Sequence, residues 1–243
     1  MNPTFFTRHT PHFKLPHDPI GVRWILVAHL AVTRAFELFR DEGWLLTYRL
    51  ENDVTVKLED VLNNQVRNRG EVHGFDSGFF GKVRRVEIVN YDGTKKAKKP
   101  DLCFDLQRED RTDLNQLQDA LFAECKPVDK KHRLSAHYCA VEKDCTGIER
   151  FIIGDYAWAM EEGLMIGYAR DGYQIHPHLA DALTEELKKI RLGSPTPLQA
   201  IEVTDAKGEN TIVYHTTHQR TFAWRDNRHA TPITLYHSWH DCG

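Results

Sequence analysis

The middle of the chain contains short runs of β-forming residues that are separated by polar segments. They are FFGKVRRVEIVNY (79–91), PDLCFDL (100–106), DALFAECK (119–126) and LMIGYAR (164–170). Each run is rich in Val, Ile, Leu, Phe or Tyr, the residues that favour strands. The pattern therefore predicts a strand in each of these positions.

Helical spacing of apolar residues occurs before and between these strands. Residues 51–69 and residues 145–163 repeat apolar side chains every three or four positions, which predicts one amphipathic helix in each segment. Residues 21–43 and 178–193 predict two further helices. The helix at 21–43 either docks on the core or mediates formation of a homo-oligomer.

The chain changes character after Gly193. SPTP (194–197) resembles a linker that follows a helix-capping glycine, residues 198–222 predict a hairpin around AKGEN, and residues 231–241 predict a last strand. We therefore expect an N-terminal arm and helix over 1–49, a core over 50–193 and a β-rich extension over 194–243.

Composition indicates an ordinary globular protein, because 41% of the 243 residues are hydrophobic and 28% are charged. The most apolar stretch, residues 24–39, is interrupted by His29 and Arg34, so a membrane span is not expected. The N-terminus lacks the continuous apolar segment of a secretory signal. Five cysteines without a CxxC pair indicate free thiols in a reducing compartment. We expect a cytoplasmic protein without a membrane partner.

Charged side chains interrupt two of the predicted strands where a core would take Val or Leu. Because a strand alternates its faces, Glu124 and Lys126 point to one side and Cys125 to the other. If the two runs pair as a hairpin, Asp101 meets Glu124 and Lys126 at one end of a sheet. Two carboxylates and an ammonium suit a hard divalent cation and a phosphate.

Pro100-Asp101 followed by Glu124-Cys125-Lys126 resembles the motif of the PD-(D/E)XK nuclease superfamily, which includes many restriction-type endonucleases. The order of predicted elements over roughly residues 50 to 172 is also similar to the core of that family. The resemblance implies an α/β fold with a restriction-endonuclease-like core, in which a mixed central sheet is flanked by helices. It also implies a metal-dependent endonuclease that hydrolyses DNA phosphodiesters with Mg²⁺ or Mn²⁺, in restriction or phage defence.

The same resemblance implies a role for each residue of the motif. Asp101 and Glu124 would bind the metal, and the backbone carbonyl of Cys125 would complete its coordination. Lys126 would stabilise developing negative charge and orient or help deprotonate the attacking water. The family also carries an acid on its first helix. Glu51 is our preferred candidate for that acid, and Glu59 is the alternative.

The distribution of charge favours a nucleic-acid partner, although the formal net charge is −3. Nine Lys or Arg stand against four acids between residues 67 and 99. Lysines bracket the proposed site on both sides, and we predict that they contact DNA phosphates. These residues are Lys95, Lys96, Lys98, Lys99, Lys130 and Lys131. The alternative for the first four is a solvated lysine-rich turn.

Two other functions stay open. One is a catalytically inactive nucleic-acid or protein-binding module on the same fold. The other is a zinc-stabilised C-terminal interaction module, because imidazole and thiolate are zinc ligands. The candidate ligands are His215, His218, His229, His237, His240 and Cys242. Their spacing matches no zinc-finger pattern, so partly buried histidines that make single hydrogen bonds or contact a phosphate are the competing interpretation. Trp224 could stack on a nucleotide base or simply pack in the core.

Overall fold

A computed structural model describes most of the chain. The described residues are 13–44, 46–76, 78–94, 99–108, 113–139, 146–184, 190–204, 210–224 and 226–243. Within these ranges, the strands are β1 (Phe80–Arg84), β2 (Leu102–Leu106), β3 (Ala120–Val128), β4 (Glu162–Ala169), β5 (Gln199–Thr204), β6 (Asn210–His218) and β7 (Ile233–Asp241). The helices are α1 (Val22–Asp41), α2 (Glu51–Val61), α3 (Arg67–Arg69), α4 (Ile148–Ile152) and α5 (Ala180–Leu183). Short π-helical segments lie at Leu62–Val66, Ser135–Cys139 and Ile175–Leu179.

The strands form one seven-stranded sheet in the order β1-β2-β3-β4-β7-β6-β5. β1, β2 and β3 are antiparallel neighbours, whereas β4 is parallel to β3 and β7 is parallel to β4. β6 and β5 complete the sheet with antiparallel pairing. The predicted α/β class with a mixed sheet is therefore confirmed.

The strands that carry the motif occur where the apolar runs predicted them. The first strand is shorter than the predicted 79–91, since β1 ends at Arg84. Arg84 pairs with Cys103, which is the second residue of β2. Because the two strands are antiparallel, the chain beyond Arg84 runs past the start of β2, where that strand has almost no residues left to pair with it.

The prediction of one long helix over 145–163 was wrong. α4 covers only Ile148–Ile152, and the chain then turns through Gly154 at φ +76° and Ala157 at φ +48°. These left-handed conformations are incompatible with a continuing right-handed helix. A side chain at Gly154 would also lie 2.7 Å from the Tyr91 ring, so a glycine permits this close approach.

The helix predicted at 178–193 is also shorter in the described residues. It consists of the π-helical segment Ile175–Leu179 followed by α5, which is capped at Thr184. Residues 185–189 lie outside the described part of the chain.

The C-terminal strands belong to the same sheet as the motif. β5 and β6 form the predicted hairpin, and β7 lies between β6 and β4. The predicted extension over 194–243 therefore continues the sheet of the core, although the linker-like SPTP separates them in sequence.

Helix α1 docks on the core. The ring of Phe36 in α1 stacks on His240 of β7 at 4.5 Å between centroids, and His29 bonds to Ser238 of the same strand at 2.7 Å. None of the helices in the described residues has the length and apolar character needed to cross a membrane.

Candidate functional site

The pairing of β2 with β3 places the motif at one end of the strand pair. Leu102 pairs with Ala123, so the preceding Asp101 lies next to Glu124. β3 continues beyond this point to Val128, paired with β4 on its other side. The backbone N–H of Cys125 donates to Oδ2 of Asp101 at 2.7 Å. The start of β2 is therefore anchored to β3 through the Asp101 carboxylate.

The ammonium of Lys126 joins all the motif residues in one cluster. Its Nζ lies 2.7 Å from Oε1 of Glu51, 3.1 Å from Oε1 of Glu124 and 3.6 Å from Oδ2 of Asp101. It also donates to the backbone carbonyl of Cys125 at 2.9 Å. Three carboxylates and one carbonyl thus surround a single cation, and we call this group the Lys126 cluster.

Burial controls the protonation of this cluster. The Glu124 side chain is only 2% exposed. Burial and then the neighbouring Asp101 raise the pKa of Glu124 to about 7. For Lys126, burial lowers the pKa, but the carboxylates of Glu124, Asp101 and Glu51 outweigh it and raise the pKa overall. The ammonium therefore stays charged, and Glu124 is the carboxyl poised to take up a proton near neutral pH.

The two candidate acids of the first helix have different positions. Glu51 is the first residue of α2, and its side chain is 37% exposed while it binds Lys126. Glu59 lies near the other end of α2, where its backbone carbonyl accepts a bond from Asn63. Of these two acids, Glu51 is the one that contacts the Lys126 cluster.

Arg150 and Tyr156 approach the cluster from the segment after β3. Arg150 Nε lies 3.8 Å from Oε1 of Glu124, and its guanidinium also donates to the Tyr156 hydroxyl. That hydroxyl donates to the carbonyl of Lys99 at 2.6 Å. Sequence reasoning missed both residues, because a single Arg in a predicted helix carries no distinctive spacing. The chain from Lys99 to Asp101 is thereby fixed to the α4 region.

The predicted phosphate-binding lysines are only partly described. Lys95, Lys96 and Lys98 lie outside the described residues. Lys99 is 67% exposed and pairs with Glu87 at 2.6 Å. Lys130 and Lys131 are exposed.

A cavity of about 600 Å³ opens beside the Lys126 cluster. Glu51 lines it together with Arg49, Lys131, His132 and Arg170. Asp129 also lines it and pairs with His132 at 2.8 Å and with Arg170 at 3.6 Å. Asp171 is a further acid of the lining, so basic and acidic side chains are mixed in this cavity beside Glu51.

The C-terminal histidines bond to hydroxyl groups and to backbone. Thr216 Oγ1 lies 2.7 Å from His218 and 2.9 Å from His237, and Ser238 Oγ lies 2.7 Å from both His29 and His240. Cys242 donates to the carbonyl of His240. His218 also bonds to the Leu192 carbonyl and His237 to the Tyr138 hydroxyl, so these two histidines make two hydrogen bonds each, whereas the expectation was a single one. Trp224 is 4% exposed and packs with Phe222 and Ala230.

Within the described ranges, no group of three or more His, Cys, Asp or Glu side chains is arranged to hold a metal ion. At the motif, the ammonium of Lys126 takes the position of a cation among the carboxylates. Their oxygen atoms are nonetheless the donors that Mg²⁺ and Mn²⁺ prefer. These oxygen donors therefore fit a hard divalent cation. In the described arrangement, the ammonium of Lys126 supplies the positive charge that they contact.

Comparison of the chain with protein-family models, with curated proteins and with solved structures found no match. Function is therefore inferred from the geometry of the Lys126 cluster and its surroundings.

Proposed function

We propose that the chain is a Mg²⁺- or Mn²⁺-dependent deoxyribonuclease with a restriction-endonuclease-like core. The observation that supports this most is the convergence of Asp101, Glu124 and Glu51 on the Lys126 ammonium within 3.6 Å. A buried lysine among three acids costs desolvation energy that a purely structural core position would avoid. Such clusters of perturbed groups are typical of catalytic sites.

Asp101, Glu124 and the Cys125 carbonyl are the groups that would hold the divalent ion. Asp101 and Glu124 supply carboxylate oxygens, and the Cys125 carbonyl is already turned toward the cluster, where it accepts from Lys126. When bound, the ion supplies Lewis-acid chemistry by polarising a phosphoryl oxygen and lowering the pKa of a bound water.

Lys126 would stabilise the negative charge that develops on the phosphoryl group. A preorganised donor contributes because it is already oriented when the charge appears. Glu51 holds the ammonium at 2.7 Å from the side of the cavity, so it fixes the direction of Lys126. Glu51 would thereby position Lys126. It would also assist the metal, either directly or through water.

The substrate is proposed from the charge around the cluster. Arg49, Lys131 and Arg170 line the adjacent cavity together with the acids Glu51, Asp129 and Asp171, and its basic side chains are the groups that could contact a phosphodiester backbone. The exposed Lys130 adds a positive charge nearby, whereas Lys99 is paired with Glu87. A role in restriction or phage defence, with cytoplasmic location, belongs to the same proposal through the resemblance to that nuclease superfamily.

The direct experiment incubates the protein with supercoiled plasmid, linear duplex and single-stranded DNA, each with EDTA, Mg²⁺ or Mn²⁺. We expect cleavage only with metal. Glu51→Gln and Glu59→Gln proteins are compared in the same assay. Glu59→Gln is the control, because Glu59 lies on the same helix as Glu51 but does not contact Lys126. If every DNA form remains intact with both metals, the nuclease proposal fails.

A binding module without catalysis is the second candidate, and one observation favours it. Lys126 already neutralises part of the charge on Asp101 and Glu124, so the cluster is satisfied without metal. This candidate predicts salt-dependent DNA binding that is identical in EDTA and in Mn²⁺. The nuclease proposal predicts instead that Mn²⁺ binds measurably to the protein and that this binding requires Asp101 and Glu124.

A further inference from the structure

Two exposed apolar side chains lie at the opening of the cavity beside the Lys126 cluster. Tyr48 is 90% exposed and Leu50 is 72% exposed, and both line that cavity. They belong to residues 47–50, which lie between α1 and α2 and end one residue before Glu51. We call this segment the Tyr48 loop. One exposed apolar residue is ordinary, but an aromatic ring and a leucine beside a proposed catalytic acid indicate a contact surface.

The backbone on both sides of Tyr48 is held by the core. Arg170, which follows β4, donates to the carbonyl of Leu46 at 3.0 Å and to that of Arg49 at 2.8 Å. The N–H of Arg49 also donates to the Leu46 carbonyl at 3.1 Å. The Tyr48 ring is therefore presented to solvent from a backbone that is fixed before and after it.

Tyr48 is close enough to the Lys126 cluster to share one substrate with it. It precedes Glu51 by three residues, which span at most roughly 11 Å even when the chain is extended. Glu51 itself lies 2.7 Å from the Lys126 ammonium. A nucleotide that neighbours a phosphate at the Lys126 cluster is thus within reach of the Tyr48 ring.

Charge around the Tyr48 loop suits a phosphate backbone, because the acids of the cavity are bound within the protein. Asp129 lies 3.6 Å from Arg170, and Asp171 accepts from the backbone N–H of Lys130 at 3.1 Å. The third acid of the lining belongs to the Lys126 cluster. The side chains of Lys130 and Lys131 are exposed, and Lys131 lines the cavity together with Tyr48. Apolar and cationic side chains therefore alternate at this opening, as they do where single strands bind.

We propose that the Tyr48 loop binds an unpaired base of a single-stranded DNA segment, next to the phosphate at the Lys126 cluster. The base would stack on the Tyr48 ring, because every base has a flat face that an aromatic side chain can cover. Leu50 would pack beside that base, as apolar side chains do when they separate neighbouring bases. In an intact duplex the adjacent base pairs already cover these faces, so the loop favours single-stranded or frayed DNA.

This inference names the form of DNA that the proposed nuclease uses, so it rests on that proposed function for its ligand. Binding is measured in EDTA, which separates the Tyr48 loop from hydrolysis. The probes are a fluorescent single-stranded oligonucleotide and an abasic strand of the same length. We expect the strand with bases to bind about tenfold more tightly.

Variants of the Tyr48 loop assign this difference to the ring. Tyr48→Ala should remove most of the preference for the strand with bases, whereas Tyr48→Phe should keep it, because the ring remains. Leu50→Ala should weaken the preference. Leu117→Ala is the matched control, because Leu117 is 60% exposed and lies outside this cavity. Both loop side chains are exposed, so these substitutions leave the core packing unchanged.

Salt dependence distinguishes stacking from a contact with phosphate. Tyr48→Ala should leave the slope of log affinity against log salt unchanged, because no counterion is replaced at that position. Lys131→Ala should flatten the slope for a single strand by about 0.7. A flatter slope in Tyr48→Ala, with its preference for bases intact, would contradict stacking.

Three results would overturn the proposal. The first is equal affinity of the parent protein for the strand with bases and the abasic strand. The second is equal affinity for a blunt duplex and for the same duplex with a single-stranded end. The third is a dimer that Tyr48→Ala dissociates without any change in DNA affinity, because the loop would then contact a second copy of the chain.

Cleavage in Mn²⁺ is scored separately from binding. Binding that depends on bases and on Tyr48, without any cleavage, would support the Tyr48 site and contradict the nuclease proposal. Cleavage by a protein that binds both strands equally would do the reverse. The two proposals therefore fail in different measurements.

Discussion

The ammonium of Lys126 lies 2.7 Å from the carboxylate of Glu51, which precedes it by 75 positions in the chain. The contact joins the first residue of α2 to β3. It also gives the largely buried ammonium of Lys126 a partner that lines the cavity.

Glu51→Gln should raise the Mg²⁺ concentration that is needed for half-maximal DNA cleavage, because the carboxylate no longer holds Lys126 or assists the metal. Glu59→Gln should leave that concentration nearly unchanged, since Glu59 does not contact Lys126. Cleavage titrated against Mg²⁺ for both variants checks this. If only Glu59→Gln shifts the requirement, Glu59 is the helix acid instead.

The pH dependence of metal binding should follow Glu124. Its pKa is raised to about 7, so below pH 7 the carboxyl holds a proton that a bound metal must displace. Affinity for Mn²⁺ should therefore increase about tenfold per pH unit below 7 and level off above it. Calorimetry at pH 6 and pH 8, in buffers of different ionisation enthalpy, should detect release of about one proton at pH 6 only. A pH-independent affinity would contradict this assignment.

Two aspects of the fold followed directly from the sequence. The apolar runs at 100–106 and 119–126 predicted strands, and strand alternation then placed Glu124 and Lys126 on one face. Their pairing as a hairpin brought Asp101 to the same end, as β2 and β3 show. These steps depend on local pattern and on short-range pairing, which a single sequence contains.

Other features depend on contacts between residues that are far apart in the chain. The helix predicted over 145–163 is cut short at Gly154, where Tyr91 and Phe222 pack against the backbone. A second cavity, of about 540 Å³, is lined by positions as distant as Phe13 and Asp226. Neither the early end of the helix nor the cavity leaves a local pattern in the sequence. The periodicity of apolar residues could therefore not predict them.

Thr216 should be important for stability, because its hydroxyl bonds to both His218 and His237 in the core. Thr216→Val would leave two buried imidazole nitrogens without partners, at a cost of about 2–4 kcal/mol in the free energy of unfolding. Thr217→Val is the matched control, since its hydroxyl bonds to Thr234 in a half-buried position. Urea unfolding compares them, and equal stability of the two variants would argue against a role for the histidine contacts.

Acid should destabilise the same region. Burial lowers the pKa of His218 to about 4, from an ordinary value of 6.5. Below pH 6.5, His218 therefore binds a proton in the unfolded chain but not in the folded chain. The free energy of unfolding falls as the pH decreases from 6.5 toward 4. The free energy of unfolding measured between pH 7 and pH 4.5 should decline less in His218→Gln than in the parent.

DNA affinity should fall steeply with salt if the lysines near the motif replace counterions on phosphates. Neutralising Lys95, Lys96, Lys98 and Lys99 together should flatten the slope of log affinity against log salt by roughly three to four units. Affinity measured over a series of salt concentrations gives that slope. An unchanged slope would remove this lysine segment from the interface.

The central proposal is tested most directly by two measurements on the variants Asp101→Asn, Glu124→Gln and Lys126→Ala. The first is the cleavage of supercoiled plasmid in Mn²⁺, and the second is calorimetric Mn²⁺ binding. Both acid variants should lose cleavage and bind Mn²⁺ weakly, because each lacks a proposed ligand. Lys126→Ala should still bind Mn²⁺ but cleave about 100-fold more slowly or worse, since it loses charge stabilisation. If folded Asp101→Asn and Glu124→Gln cleave like the parent, the Lys126 cluster is not a nuclease site.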